Sequence, residues 1–368
     1  MQLTEGLNDL SGISDWQRIM AESIRSAEAL AEFLPVDVKI VDRVIRRYPM
    51  QINPYFLSLI QASGGPIWRQ AVPDAAELET DAALLPDPLA EEPQSPVPHL
   101  IHRYPDRVVF MVSNQCAMYC RHCMRKRHVG NHQQVTRASI RQGIAYIRDH
   151  PQIHEVILSG GDPLMLSDEW LDEILSQLKK IRHVELLRIH SRVPGALPAR
   201  ITAPLVGLLA SNFPIFLNIQ FNHPAELTPA AIAACISLAN AGIPLGSQTV
   251  LLKGINDDAE TLMALMRGLL KNRIRPYYLH HADPVEGTRH FRTSIETGLE
   301  IMAALRGRIA GMGVPSYMID LPGGGGKIPL LPQYIEKIEK NKLVVKNYAG
   351  EVFEYPVDFR NGEVRKGQ

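Results

Sequence analysis

The chain has 368 residues, 45% of them hydrophobic and 21% charged, with equal numbers of basic and acidic side chains. That is the composition of a soluble globular protein with a sizeable core, and zero net charge gives no bulk reason to bind nucleic acid or an anionic membrane. No apolar run is long enough to span a bilayer, the opening Met1-Gln2-Leu3-Thr4-Glu5-Gly6 lacks the basic and apolar regions of a secretory signal, and few, clustered cysteines argue for a reducing compartment, read here as the cytoplasm.

Residues 1–100 read as helices and loops. Helical periodicity covers 16–33 and ends near Pro35, a short helix is expected over 38–47, and Ser63-Gly64-Gly65-Pro66 breaks the pattern. Residues 74–98, with Pro86, Pro88, Pro93, Pro96 and Pro98 among Ala, Asp and Glu, read as an extended connector crossing a surface. No chemistry is legible before His102. From Arg107 a regular alternation begins. Strands are expected at 108–112, 155–158, 185–189, 215–220, 246–251, 276–280 and 315–319, and helices at 137–149, 168–181, 199–211, 229–241, 257–272 and 294–311. Six βα units and a last strand predict a parallel sheet in a partial or complete α/β barrel. A doubly wound open sheet is the rival, but no G-x-G-x-x-G follows the first strand. The tail, 343–356, predicts a β-hairpin turning at Ala349-Gly350.

In such a barrel the chemistry lies at the C-terminal ends of the strands, and each end carries polar residues. After the first comes Cys116-Ala117-Met118-Tyr119-Cys120-Arg121-His122-Cys123, which holds three of the four cysteines. Thiolates spaced C-x3-C-x2-C can converge on one iron–sulfur cube. Three ligands for four irons leave one iron open for a small molecule, and in this the motif resembles the radical S-adenosylmethionine (SAM) enzymes. The other readings are core thiols or a zinc site of the three cysteines with His122. Structural zinc ordinarily uses paired C-x2-C units, and no second pair is present.

After the second strand, Gly160 and Gly161 let backbone approach a ligand and Asp162 can accept from an ammonium, or the segment is a plain βα turn. His190-Ser191-Arg192 follow the third strand and Asn222-His223 the fourth. Gln248 lies on the fifth, Asp283 after the sixth and Asp320 after the last. Two carboxylates facing one mouth would bind a cationic group; singly, each is the commoner N-cap or turn former. Arg103 and Arg107 could clamp a phosphate or belong to a solvated turn, and Arg125 suits a carboxylate. The run Pro322-Gly323-Gly324-Gly325-Gly326-Lys327-Ile328 is not a P-loop, since Leu321 replaces the first glycine and Ile328 the Ser or Thr. A lysine on a mobile glycine arm suits a Schiff base with an aldehyde such as pyridoxal 5′-phosphate (PLP); a solvated lysine on an exposed loop is the plainer reading. Cys235, in an alanine-rich helix, reads as a core thiol.

In combination, HRYPDR, CAMYCRHC, SGGDPL, LRIHSR, LGSQTVLLKGIND, RPYYLHHAD, HFRT and DLPGGGGK resemble the lysine 2,3-aminomutases, PLP-dependent radical SAM enzymes, from about His102 to the tail. The resemblance implies a partial (βα)6-type α/β barrel of the radical SAM kind over 101–312, a helical N-terminal region and linker over 1–100, and a C-terminal segment over 313–368 with the PLP-lysine loop and hairpin. It implies a [4Fe–4S] cluster on Cys116, Cys120 and Cys123, and SAM against His122, Gly160, Gly161, Asp162 and Gln248. It implies PLP on Lys327 as Schiff-base lysine, with Arg103, Tyr104 and Arg107 binding the cofactor. Arg125 would take the substrate carboxylate, and Asp283 and Asp320 its distal ammonium. The implied activity is isomerisation of L-lysine to β-lysine, through hydrogen abstraction by a 5′-deoxyadenosyl radical and 1,2-amino migration. An external reductant would supply the electron, and the enzyme would be a homo-oligomer with a small amino acid as its partner. In members acting on glutamate the two acidic positions are not both acidic, because two carboxylates would repel a third. Arginine, or a modified or protein-bound lysine of the elongation factor P type, are the alternative substrates. The branch acting on elongation factor P lacks the full DLPGGGGK run and the paired aspartates. Some members carry a C-terminal cysteine zinc site, and with no cysteine after Cys235 none is expected here.

Overall fold

The computed structural model describes residues 16–130, 135–212, 214–339 and 341–356; the opening residues read for a secretory signal lie outside them. At the centre is a nine-stranded sheet in sequential order. Its strands are β1 (Leu100–Tyr104), β2 (Arg107–Ser113), β3 (Glu155–Gly160), β4 (Leu186–Ser191), β5 (Ile215–Ile219), β6 (Leu245–Leu251), β7 (Ile274–His281), β8 (Ser316–Leu321) and β9 (Gly326–Pro329). β2 to β8 are parallel, as the alternation predicts. β1 and β9 were not expected; each runs antiparallel to its neighbour. The sheet curls into a nearly closed barrel, and its two edges meet where Tyr104 Oη on β1 accepts the Lys327 N–H of β9 at 2.8 Å.

The crossover helices are Arg137–Asp149, Asp168–Lys179, Ala203–Ser211, Pro229–Asn240, Ala259–Lys271 and Ile295–Leu305. Each starts on a side-chain cap, from Thr136, Ser167, Thr202, Thr228, Asp258 and Ser294 in turn, a contribution of about 1 kcal/mol apiece. Their inner faces (Ile144, Ile147, Leu171, Leu178, Leu209, Leu262, Leu269) pack on the strands as the main core, which also takes in Cys235.

Three regions differ from the sequence expectation. The helix over 16–33 is two, Trp16–Ala21 and Ala27–Ala31. Between them Ile24 exchanges both backbone hydrogen bonds with Ile52, and Ser26 caps the second helix. The connector 74–98 does not simply cross a surface, because Glu77, Leu84, Leu89 and Glu91 are buried. Apart from one 3-10 turn at Ala75–Leu78 the proline-rich segment has no helix or strand, yet its side chains enter the core. Lastly, the glycines before Lys327 form a tight turn rather than a mobile arm. Gly323, Gly324 and Gly326 have positive φ, which glycine alone adopts without strain, and Lys327 then sits in register opposite Asp320 on a β8–β9 hairpin. The barrel sheet therefore continues past residue 312 to Pro329.

The tail forms a separate antiparallel sheet of β10 (Ile335–Ile338), β11 (Lys342–Lys346) and β12 (Val352–Pro356). Its second hairpin is the expected one, with Asn347 Oδ1 accepting from Ala349 and Glu351 across the turn. Among the described residues no helix is long and apolar enough to cross a membrane.

Candidate active site

A cavity of about 800 Å³ occupies the barrel, toward the upper end of the roughly 300–1,000 Å³ found for small-molecule sites. Cys116, Cys120, Cys123, His122, Gly160, Gly161, Asp162, Gln248, Arg103, Tyr104, Arg107, Arg125, Asp283, Asp320 and Lys327 all line it. The barrel thus gathers residues spread over more than two hundred positions of the chain onto one wall.

The cysteine loop is held from two sides. On the barrel side, Gly161 N–H donates to Ser113 O at 2.6 Å and Asp162 N–H to Gln115 O at 2.7 Å. A Cβ on Gly160 or Gly161 would overlap those carbonyl oxygens, and Gly160 has φ +121°. The glycines therefore serve the close approach of β3 to the strand entering the loop. Gly161→Ala is expected to push that segment away and lower the iron bound per chain several-fold after anaerobic reconstitution; full iron loading would mean that the backbone yields.

From the other side comes the N-terminal region. Gln51 Nε2 donates to Cys116 O at 2.7 Å, Asn53 Nδ2 to Ala117 O at 3.0 Å, and Arg121 N–H to Gln70 O at 2.9 Å. Glu77 is buried between Arg121 Nε at 2.9 Å and Lys126 Nζ at 2.6 Å. Burial opposes its charge, but the two cations hold its carboxyl below the usual range. No chemistry was legible before His102, yet this region braces the cysteine loop.

The thiols fit an iron–sulfur cluster. Burial and neighbouring thiols push Cys116 well up and Cys123 to about 11, so these groups ionise on binding metal. Arg192 Nη1 lies 2.7 Å from Cys120 Sγ. Among the described residues no three His, Cys, Asp or Glu side chains close on a single metal position. Nor is His122 placed as a fourth zinc ligand. Asn222 Oδ1 accepts from Val250 N–H, which fixes the amide so that Nδ2 donates to His122 Nε2 at 3.2 Å. Burial, with Arg192 nearby, pushes the His122 imidazole far below its usual range. It is neutral with its proton on Nδ1, a buried donor with no protein partner.

Asp162 does something other than expected. Its Oδ1 accepts from Leu164 N–H at 3.1 Å, and its Oδ2 from Ser191 Oγ, Arg192 N–H and Val193 N–H at 3.0, 2.7 and 3.2 Å. Burial lifts it to about 6 against those bonds. The carboxylate pins the end of β4 to the end of β3, a structural role the sequence did not show, while Asp162 also lines the cavity.

Farther round the wall, Lys327 Nζ contacts Asp320 Oδ2 directly. Asp320 Oδ1 is buried without a hydrogen bond and lies 3.7 Å from Arg103 Nη1. Arg103 also donates to Gln94 Oε1 and Leu89 O, each at 2.9 Å. Arg107 stands 4.1 Å over the Tyr104 ring. Burial, then the Asp320 charge, pushes Asp283 up to about 7. Two carboxylates that feel each other's charge suit a cation, and Asp320 already contacts the amine of Lys327. The lysine and the Arg103–Arg107 pair suit an aldehyde bearing a phosphate. Arg125 is already partnered: its Nη2 is 2.8 Å from Glu91 Oε1 and its Nη1 3.3 Å from Ser159 Oγ. Burial works against the Glu91 charge, yet Arg125, Arg127 and Arg103 keep its carboxyl below the usual range.

Residues 110–266 match the radical SAM superfamily and residues 302–363 the lysine-2,3-aminomutase model. The L-lysine 2,3-aminomutase of Clostridium subterminale is 43% identical over 357 residues, covering 95% of this chain and 86% of that protein. The chain belongs to the lysine 2,3-aminomutase family of radical SAM enzymes. Lysine 2,3-aminomutases use a [4Fe–4S] cluster, SAM and PLP. The L-lysine 2,3-aminomutase of Methanococcus maripaludis is 42% identical, covering 98% of this chain and 86% of that protein. The glutamate 2,3-aminomutase of Clostridioides difficile is 41% identical, covering 92% of this chain and 81% of that protein. Overall identity therefore does not separate lysine from glutamate among these aminomutases, and side chains in the cavity have to.

Proposed function

We propose that this chain is an L-lysine 2,3-aminomutase that interconverts L-lysine and β-lysine. The carrying observation is the pair of half-buried Asp283 and buried Asp320 on the cavity wall, with the amine of Lys327 seated on Asp320. When bound, the cluster with SAM supplies hydrogen-atom abstraction from an unactivated carbon, and PLP supplies the π-system across which nitrogen migrates. In this reading Cys116, Cys120 and Cys123 hold the cluster, and His122, the Gly160–Gly161 edge and Gln248 line the SAM side. Lys327 would hold PLP, Arg103 and Arg107 would supply positive charge for its phosphate, and Tyr104 would line the cofactor side.

To react with an aldehyde Lys327 must lose its ammonium proton, and Asp320 Oδ2, in contact with Nζ, is placed to hold it. Once Lys327 is engaged and Asp320 has passed that proton on to solvent, the freed carboxylate can receive the substrate's distal ammonium together with Asp283. Arg125 takes the substrate carboxylate by giving up part of its pairing with Glu91. The enclosing barrel wall keeps water from the reacting carbons.

The proposed setting is the cytoplasm, with an external one-electron donor. The exposed Ile338, Phe353 and Tyr355 of the tail sheet support a homo-oligomer. The proposed organisation is an N-terminal brace over 16–99, a barrel from β1 through β9 that brings in Lys327, and a tail sheet after Pro329. The test is anaerobic: the protein reconstituted with iron and sulfide receives PLP, SAM, dithionite and L-lysine, L-arginine or L-glutamate. β-Lysine from lysine alone is the expected product. A β-amino acid from glutamate, or none from any substrate with full iron and bound PLP, would sink the assignment.

A further inference from the structure

Arg192 lies at the end of β4, and nothing in the proposed reaction uses it. It is 6% exposed, and its guanidinium reaches the cysteine loop from behind. Nη1 donates to Cys120 Sγ at 2.7 Å. Nη2 donates to Gln70 Oε1 and, at 3.0 Å, to Glu226 Oε2. Gln70 and Glu226 are wholly buried. Glu226 is fixed in turn, its Oε1 accepting from Asn222 N–H and His223 N–H, each at 2.9 Å. The backbone N–H of Arg192 is held by Asp162 at 2.7 Å. A cation is therefore locked against one thiol of the loop, and its counter-charge sits on the side away from the sulfur.

A buried Arg–Glu pair joining two elements can be a plain structural pin, and Arg192 with Gln70 does join the barrel to the helix Gly65–Ala71. The contact with sulfur is what a pin does not need. A hydrogen bond or positive charge at a ligand sulfur stabilises the reduced, more negative cluster more than the oxidised one, and so raises its reduction potential. At 2.7 Å in a buried wall that field is little screened.

We propose that Arg192 is a tuning residue for the iron–sulfur cluster, raising its reduction potential through Cys120, and that Glu226 sets how much of the arginine charge the sulfur feels. This rests on the reading that Cys120 ligates the cluster. Arg192→Gln should lower the potential. Glu226→Gln should raise it, because the arginine loses its neutralising partner while keeping its contact with sulfur. A structural pin predicts no such opposite signs.

The experiment is an electron paramagnetic resonance redox titration of the reconstituted chain without SAM. Iron per chain and visible absorbance of the wild type test the cluster reading separately: a wild-type sample without iron–sulfur absorbance defeats that reading. With the cluster present, R192Q is expected to cut the reduced-to-oxidised ratio about tenfold at the wild-type midpoint, equivalent to about 59 mV for one electron. E226Q is expected to raise the ratio. Should R192Q hold no iron because Glu226 is left uncompensated, R192K and the paired variant R192Q/E226Q take its place. The former keeps charge near sulfur and should titrate close to wild type, and the latter should titrate lower. Ratios within twofold of wild type in R192Q or the paired variant overturn the proposal. So does loss of iron from all three while the wild type keeps its own.

Discussion

Lys327→Ala is expected to abolish aminomutase turnover, by more than about 10⁴-fold, while leaving iron content and fold intact. The expectation comes from where the side chain sits. Lys327 is on β9, opposite Asp320, and its backbone N–H is anchored on Tyr104. The cysteine loop is braced by other groups: Gln51, Asn53, Gln70 and Glu77. In the proposed reading, removing the amine therefore removes the attachment point for PLP without loosening the cysteine loop. Asp320 loses its ammonium but keeps Arg103 at 3.7 Å, so the variant is not left with an isolated buried charge. Absorbance should show the iron–sulfur bands with no PLP retained after desalting. Unchanged turnover with no added amine would remove Lys327 from the chemistry.

The second large effect is expected at Asp283. Asp283→Asn should lower kcat/KM for lysine by about 10²-fold or more, the scale set by losing one buried charge partner of a cation. Its pH behaviour is distinctive. Burial and the Asp320 charge raise its carboxyl from 3.8 to about 7, so below that pH the ligand-free site holds a neutral acid. An ammonium binds well only to the ionised form. For the intact chain, kcat/KM for lysine should therefore climb about tenfold per pH unit up to roughly 7 and then level, and that rising limb should vanish in D283N. Stability moves the opposite way. A carboxyl whose folded value lies above its unfolded one favours the fold at low pH, and that contribution is lost as pH rises from about 4 to 7. Ligand-free D283N should accordingly be more stable than the intact chain at pH 8, by about a few kcal/mol, read as a higher melting temperature. Equal melting at pH 8, or an unchanged pH profile, would place Asp283 outside the ammonium site.

The barrel was legible because its strands and helices alternate with the right periods, and the helices begin on Ser, Thr or Asp caps that can be read directly. The lining residues were legible because β-strand ends point to one rim. What escaped was set by partners distant in sequence. Glu77 and Glu91 look like solvated acids in a proline-rich stretch, and only folding brings Arg121, Lys126 and Arg125 to them. Asp162 looked like a ligand group because its position after two glycines is explained equally well by a ligand or by the neighbouring strand end it caps. β1 and β9 were missed because each pairs across a turn of proline or glycine, residues that read as breakers.

The barrel is closed at β1 and β9 by a tyrosine hydroxyl rather than by a ladder. A ladder several residues long opens only if many hydrogen bonds part together, whereas a single one contributes about 1 kcal/mol net. Arg103 of β1 also reaches Asp320 of β8 at 3.7 Å across the same seam, and Gly323 N–H donates to Pro88 O at 2.9 Å. The join beside Lys327 is therefore a sum of separate contacts, and a substitution there removes one of them without unzipping a strand.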